Sequence, residues 1–291
     1  MIPFDKIVEK QINCFDFGDK RLSERCRLSY KKIDESGSSK SFPNIFQDAY
    51  QLKAFYGMIN NPKVTAEKFL EGYTQGLIDH FSAPLEQSND FLYVYQDSTF
   101  GKYHDRKKLK LGYIEKLTDN GLLIHSGILT SSNYIPLGVV HQQIIIRDKA
   151  DYQKSHQRGT LSFENKESFK WTKGFDWAIE FNKKVNIPIV QIMDREADIA
   201  ALFNYGMARN QLFIVRARHD RLLKGGNIEK FKTFIAKQKV AFEQTRTLID
   251  EAGKKYKVNC QIRYAKLDLN EIDLPVWVIF LKALDLSLIH I

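Results

Sequence analysis

Apolar residues recur at helical spacing through the first ninety positions of the chain. One run has apolar residues at successive steps of four, three, four and three, which is typical of a single buried face on a helix. Its members are Ile45, Ala49, Leu52, Tyr56 and Ile59. The Asn60-Asn61-Pro62 sequence that follows predicts the end of this helix.

Two further segments of this region carry the signals that begin or end helices. The segment Lys20–Ile33 is rich in basic residues, and Ser36-Gly37 is expected to close it. The segment Thr65–Phe81 begins with Thr65, whose hydroxyl suits an N-cap. Residues 1–88 are therefore predicted to form a helical N-terminal domain.

The pattern changes at Phe91 to short runs of β-branched and aromatic residues. These runs predict strands and helices in the order β-β-β-α-β-α-β, which indicates a mixed sheet flanked by helices over residues 89–225. The predicted strands are Phe91–Gln96, Leu122–Leu129, Leu137–Ile146, Ile187–Met193 and Leu212–Val215, and the predicted helices are Phe175–Lys184 and Ala197–Arg209.

After Gly225-Gly226 the chain becomes more charged and stays strand-like. Val258–Tyr264 and Val276–Leu281 are its best strand candidates. Residues 226–285 are therefore predicted to form a β-rich insertion subdomain.

Composition excludes some classes of protein. With 43% hydrophobic and 27% charged residues the chain is expected to be soluble and globular, and no apolar run approaches the ~20 residues of a membrane helix. The N-terminus lacks the apolar core of a secretory signal. An odd number of cysteines, three, argues against a disulfide framework, so a cytoplasmic location is expected.

Two aspartates at predicted strand ends are the main candidates for chemistry. Asp97 follows the first predicted strand, where it could also simply start a turn. Asp194 follows the fourth, where it could also simply cap the next helix. Together they could share divalent cations, because Mg²⁺ takes carboxylate oxygens, and a pair of such ions supports in-line phosphoryl transfer.

Basic residues form a second kind of candidate. The net charge of +9 suits a polyanion such as nucleic acid, although it also suits plain solubility. Arg216 and Arg218 follow the fifth predicted strand and share a face if the chain stays extended. A second cluster, of Arg106, Lys107, Lys108 and Lys110, follows Asp97. Either could hold phosphates or form a solvated charged surface.

Several short strings stand out when they are taken together in chain order, from about residue 15 to about residue 280. The most specific is Asp194-Arg195-Glu196-Ala197-Asp198, which follows a predicted strand. The others are Phe17–Arg21, Ala54–Tyr56, Asn60–Val64, Gln96–Thr99, His125-Ser126, Gly138–Gln142, Glu167–Trp171 and Phe213–Arg216. In this order and at this spacing they resemble the DDE transposases of the insertion-sequence "four" family.

The resemblance implies a ribonuclease H-like catalytic core, preceded by a domain that binds transposon ends. It implies that Asp97 and Asp194 are catalytic and hold Mg²⁺ or Mn²⁺, and that the reaction is cut-and-paste transposition. It also implies that Arg21 and Arg25 contact end DNA and that Arg216 and Arg218 contact its backbone. Trp277 matches an aromatic residue that stacks near a flipped base, although a core position is the alternative.

One departure from the family pattern concerns its third carboxylate. The family places a glutamate within a Tyr, Arg, Glu, Lys pattern on a helix beyond the insertion, and the 291 residues contain no such pattern. We therefore expect an incomplete catalytic core and a C-terminally truncated, inactive chain. Residues 286–291 are expected to be a non-native tail, because sequencing adaptor DNA can encode them. The alternative is a natural C-terminal tail that arises from a frameshift or a premature stop.

Two other functions stay open at this point. A truncated chain could bind transposon ends without catalysis and act as an inhibitor. A metal-dependent phosphohydrolase unrelated to DNA would explain the paired aspartates but not the basic helices. The resemblance further implies terminal-repeat and target DNA as partners, a homodimer for the full-length protein, no membrane association and a bacterial, nucleoid-associated location.

Overall fold

The computed structural model describes residues 4–37, 40–82, 91–103, 111–148, 160–225, 228–249 and 253–284. These residues form two compact units. The first unit holds residues up to Met193 together with Gln211–Ile214, and the second holds Asp194–Asn210 together with the chain from Val215 onward. The predicted tail, residues 286–291, and the basic cluster at residues 106–110 lie outside the described residues.

Helices occupy the N-terminal part of the first unit, as the apolar spacing predicted. Asp19 caps α2, and Gly37 ends it with a φ of 77°, a conformation that favours glycine. The predicted N-cap at Thr65 is confirmed, since its hydroxyl accepts a hydrogen bond from the Lys68 amide. The helices are α1 Phe4–Asn13, α2 Lys20–Ser36, α3 Phe42–Ile45, α4 Ala49–Ile59 and α5 Ala66–Phe81.

The predicted stripe from Ile45 to Ile59 is wrong in its register. The chain leaves the helix after Ile45, and Asp48 caps a new one whose buried residues are Phe55 and Met58. The predicted spacing holds only for one uninterrupted helix. The break between Ile45 and Ala49 therefore changes which residues of the second helix face the core. The core that α4 joins is mainly aromatic, because Phe15 makes edge-on contacts with several rings around it. Its buried members are Phe15, Phe17, Leu22, Cys26, Ile45, Phe46, Phe55 and Met58.

Two glycines on α5 allow α1 to lie close against it. A Cβ added at Gly76 would lie 2.5 Å from the Cα of Gln11, and one at Gly72 would lie 2.6 Å from the Phe15 ring. Gln11 is buried, and its Nε2 donates to the carbonyl oxygen of Leu137 at 2.8 Å. The close approach therefore also joins α1 to the sheet of the same unit.

The sheet of the first unit is mixed and has the order β3-β2-β1-β4-β5. β1 pairs antiparallel with β2 and parallel with β4, and β2 pairs antiparallel with β3. The mixed sheet and the predicted order of elements along the chain are confirmed within the described residues, whereas the order of the strands in the sheet was not predicted. The strands are β1 Leu92–Lys102, β2 Gly121–Thr130, β3 Pro136–Ile145, β4 Ile189–Met193 and β5 Leu212–Val215.

Helix α6, Thr172–Asn182, packs with α5 around an apolar core on this sheet. Phe181 and Ala178 from α6 meet Leu77 from α5 and Val94 from the centre of β1. Each of these side chains is at most 1% exposed, so their burial stabilises the unit through the removal of apolar surface from water.

The second unit contains α7 and a three-stranded antiparallel sheet of order β6-β7-β8. Two strands were predicted there and are confirmed with longer bounds, whereas β6 and the short helix α8 were missed. β6 has apolar residues only at its ends, with the polar run Glu243–Thr247 between them, so its sequence lacks the apolar pattern of a strand. The elements are α7 Ala200–Met207, α8 Phe231–Lys237, β6 Phe242–Ile249, β7 Lys255–Leu267 and β8 Val276–Ala283.

Within the described residues, no helix combines the length and the apolar character needed to cross a membrane.

The close packing of α1 on α5 predicts opposite effects for two glycine substitutions. Gly76→Ala should lower the free energy of unfolding by about 1–3 kcal/mol, because its methyl group meets the backbone of Gln11. Gly57→Ala, in α4, should raise it by up to about 1 kcal/mol, because it gains helix propensity in open space. Urea unfolding of both variants measures the difference, and equal stability of the two would contradict this packing.

Candidate carboxylate site and nucleic-acid interface

Asp97 lies inside β1 and not at its end, so the predicted strand end and the turn alternative are both wrong. β1 continues to Lys102, and Asp97 is the register partner of Ser126 on β2. Thr99 and Phe100, which suit strands, extend the pairing with β2 past the aspartate. The parallel pairing with β4, however, stops at Gln96 and Met193. Asp97 is therefore the first residue of β1 beyond its paired length with β4.

The carboxylate of Asp97 is exposed and held by its own backbone. Its Oδ1 accepts a hydrogen bond from the Ser98 amide at 2.7 Å. Among the described residues, its Oδ2 has no hydrogen-bond partner. One oxygen is thus fixed locally while the other faces solvent.

Asp194 follows the last residue of β4 directly and is also exposed. Its Oδ1 accepts from the Glu196 amide at 2.8 Å, so it caps a 3₁₀ turn at Arg195–Ala197. The alternative that Asp194 caps the next α-helix is therefore wrong, because that helix begins only at Ala200 and has Ile199 at its N-cap. Its Oδ2 makes no hydrogen bond to any residue that the structure describes.

A chain of hydrogen bonds runs through the first unit on the buried side of β1, next to Asp97. The Oγ of Ser98 lies 3.0 Å from Nδ1 of His125, and Nε2 of His125 lies 3.2 Å from Oε1 of Gln96. Nε2 of Gln96 donates to Oε1 of Gln191 at 3.0 Å, and Nε2 of Gln191 donates to the carbonyl oxygen of Gly174 at 3.0 Å. Gln96, His125 and Gln191 are buried. Gln96 and His125 lie in strings that carry the resemblance, but the sequence predicted no role for any of the three.

His125 of this chain and its neighbour His141, which lies outside the chain of hydrogen bonds, are both held neutral. Burial, followed by the neighbouring His141, lowers the pKa of His125 to about 3. Burial, followed by the charge of Lys173, lowers the pKa of His141 to about 4. Both ring nitrogens of His141 are buried and lack hydrogen-bond partners within the described chain, so a charged ring there has nothing to offset its desolvation.

Arg21 and Arg25 project from one exposed side of α2. They are one helical turn apart, and the opposite side of α2 is buried through Leu22 and Cys26. Asp19, whose pKa is lowered mainly by the hydrogen bond from the Leu22 amide, fixes the start of the helix. The two predicted basic residues therefore sit on one rigid element with their charges in solvent.

Arg216 and Arg218 lie in an exposed loop of the second unit, just after β5. The loop is fastened by Asp198, which is 3% exposed and accepts from the amides of Arg218 at 2.6 Å and His219 at 2.7 Å. Asp198 also forms an ion pair with Arg221. No acidic side chain in the described residues pairs with Arg216 or Arg218.

Sequence reasoning did not single out Asp198 on its own. It was quoted only as the last residue of the Asp194–Asp198 string. The signal that could have found it is the run of basic residues after β5, which needs a buried counter-charge close to it.

Trp277 lies on β8 of the second unit and is 64% exposed, so the alternative of a core tryptophan is wrong. Its ring meets that of Tyr264 edge-on, with centroids 5.9 Å apart, and its register partner on β7 is Lys266. An exposed aromatic ring beside a basic residue is a surface on which a base could stack.

Across the residues that the structure covers, no three His, Cys, Asp or Glu side chains come together as a ready-made metal site. Any cation held by Asp97 or Asp194 would therefore need further oxygen ligands, such as water or phosphate, which is usual for Mg²⁺.

Residues 5–64 match the family model described as transposase DNA-binding. The match covers 60 of the 291 residues and includes α2, with Arg21 and Arg25, as well as α3 and α4. It supports a transposase and DNA as the partner of this part of the chain.

The neutral histidines predict a loss of stability in mild acid. An unfolded His141 binds a proton below pH ~6.5, whereas the folded one does not until about pH 4, so stability is complete above pH 6.5 and falls below it. The part of this loss in the free energy of unfolding that is due to His141 should approach about 1.4 kcal/mol per pH unit near pH 5.

Urea unfolding from pH 6.5 to pH 5 tests this expectation. The slope of stability against pH should be smaller in His141→Gln than in the unmodified chain. The exposed His219→Gln serves as the control and should keep the original slope. Identical slopes in all three proteins would contradict a buried, neutral His141.

Proposed function

We propose that this chain is a DDE transposase of the insertion-sequence "four" family, resembling the Tn-five transposase. The observation that carries the proposal is the match of residues 5–64 to a transposase DNA-binding model, on helices that expose Arg21 and Arg25. In this proposal, α2 contacts the phosphate backbone or base edges of a transposon end. The reaction is hydrolysis at that end, hairpin formation and strand transfer into target DNA.

The mixed sheet supports a ribonuclease H-like core for this reaction. Three antiparallel strands are followed by β4 and β5, which lie beyond β1 in the order β3-β2-β1-β4-β5. β1 and β4 run parallel and are paired up to Gln96 and Met193. Asp97 and Asp194 each come one residue later along the chain, which supports assigning each of them a catalytic role.

The two aspartates suit Mg²⁺ or Mn²⁺ in their chemistry. Each carboxylate keeps an oxygen without a hydrogen bond to any described residue, and hard cations prefer such oxygens. A bound divalent ion would supply activation of water and stabilisation of charge on the phosphate oxygens. The local bonds from Ser98 and Glu196 would keep both carboxylates oriented for that role.

The remaining predicted residues would hold the DNA. Arg216 and Arg218 would contact the phosphate backbone, because their loop leaves both guanidinium groups exposed. Trp277 would stack on an unpaired base, because hairpin formation must splay the end of a strand. A homodimer with terminal-repeat and target DNA is the assembly that the resemblance implies.

A transposon-end-binding protein without catalysis is the second candidate. It is favoured by the match of residues 5–64, because DNA binding is the property that this family model describes. The 291 residues also carry two of the three carboxylates that the resemblance implies, so cleavage by them is expected to be weak or absent. Robust Mg²⁺-dependent cleavage by these residues would contradict the inactive form.

DNA binding through α2 predicts a change in salt dependence. Arg21→Ala and Arg25→Ala should each weaken binding to a labelled duplex and lower the slope of log affinity against log salt by about 0.9, because each phosphate contact releases condensed cations. Fluorescence anisotropy at several salt concentrations measures this slope.

Lys183→Ala is the matched control, since it removes one exposed positive charge, which lies at the C-cap of α6 and pairs with Glu180. It should leave the slope unchanged. If all three variants behave alike, binding reflects net charge and not α2. Binding that does not depend on salt would favour a phosphohydrolase unrelated to DNA.

The carboxylate site predicts a loss of metal binding. Asp97→Asn and Asp194→Asn should each raise the Kd for Mn²⁺ by about ten-fold or more, because a neutral amide is a poor ligand for a hard cation. Electron paramagnetic resonance of free Mn²⁺ during a titration gives the Kd. Asp48→Asn, which keeps an N-cap on α4, is the control. Retained affinity in either variant would remove that aspartate from the site.

A further inference from the structure

We infer that His125 is a positioning residue for Asp97, because it holds both chain neighbours of that aspartate, Gln96 and Ser98, from the buried side of the sheet. The inference rests on the proposed metal-binding role of Asp97. His125 is fully buried and does not reach solvent, so its action on the site is indirect.

The hydrogen-bond chain through His125 has only one consistent direction. The carbonyl oxygen of Gly174 can only accept, so Gln191 presents its amide nitrogen there and its oxygen to Gln96. Gln96 must then present its nitrogen to Gln191 and its oxygen to His125. His125 therefore carries its proton on Nε2 and accepts from the Ser98 hydroxyl at Nδ1. Each member of the chain thus fixes the orientation of the next.

The two hydrogen bonds from His125 to Gln96 and Ser98, called the His125 clasp below, lie where β1 is least restrained by its neighbours. Alternate residues of a strand face opposite sides, so Gln96 and Ser98 point away from Asp97 and into the protein. Beyond Gln96 the strand loses its pairing with β4 and keeps only β2, where Ser98 is the register partner of His125. His125 bridges the residues on either side of this point. Its two hydrogen bonds therefore restrain the backbone that aims the Asp97 carboxylate.

The space around the clasp is filled. A Cβ added at Gly174 would lie 2.3 Å from Nε2 of Gln96 and 2.4 Å from Oε1 of Gln191. Trp171 packs edge-on against the His125 ring, with centroids 4.6 Å apart. Close packing leaves the histidine little freedom to rotate, which is what a positioning role requires.

Two one-sided variants separate the halves of the clasp. His125→Asn places its amide near the former Nδ1, so it can keep the bond to Ser98 and lose the bond to Gln96. His125→Gln reaches the former Nε2, so it can keep Gln96 and lose Ser98. Leu129→Ala is the control, because it removes buried volume from the same strand without touching the clasp.

The measurement is the Kd for Mn²⁺ of the full 291-residue chain, by electron paramagnetic resonance. We expect both His125 variants to raise the Kd by about three- to ten-fold, somewhat less than the 10–100-fold typical of groups that bond directly to a metal ligand. Leu129→Ala should change the Kd less than about two-fold, even though it destabilises the core. Each protein is compared at a temperature where it is fully folded.

A double variant tests whether His125 acts through Asp97. In the presence of Asp97→Asn, adding His125→Gln should weaken Mn²⁺ binding no further, because the aspartate that it positions is gone. An unchanged Kd in both His125 variants, an equal effect of Leu129→Ala, or additive effects in the double variant would each overturn the inference. If Asp97→Asn alone leaves the Kd unchanged, the metal-binding role of Asp97 fails, and the positioning role fails with it.

Discussion

The carbonyl oxygen of Gly174 sets the orientation of the polar layer beneath the central strand of the first unit. Because it is an acceptor only, it fixes the amide of Gln191, and that amide fixes Gln96 and then His125. A polar layer in a protein core is stable only when its groups are satisfied together. Gly174 must also lack a side chain for these amides to approach it. The geometry around Asp97 therefore depends on a residue in a helix that carries none of the proposed chemistry.

The N-terminal helices depend on a different constraint, which is the close approach of α1 to α5. Glycines at positions 72 and 76 allow it, and the aromatic core around Phe15 fills the space beyond. α2 buries Leu22 and Cys26 in that core and leaves Arg21 and Arg25 in water. Because the buried side of α2 is fixed in the core, its opposite side, with Arg21 and Arg25, must face solvent.

Periodicity predicted the element order because most strands and helices here carry strong apolar runs. It placed the end of β1 too early because the residues after Gln96 are polar, although β2 pairs with them as far as Lys102. It also missed β6, whose side chains are mostly exposed. The exposed candidates Asp97, Asp194, Arg216 and Trp277 could be named from their sequence context. The roles of the buried partners His125, Gln191 and Asp198 were not predicted, because these roles arise from contacts between residues that are separated along the chain.

The anchoring of the basic loop by Asp198 has an energetic consequence for any anionic ligand. The amides of Arg218 and His219 and the guanidinium of Arg221 all bond to one buried carboxylate, so the loop backbone is already ordered before a ligand arrives. Ordering a free segment on binding costs about 1–2 kcal/mol per residue in backbone entropy alone. At this loop only the side chains of Arg216 and Arg218 remain to be immobilised. A larger part of the free energy of each phosphate contact would therefore contribute to affinity.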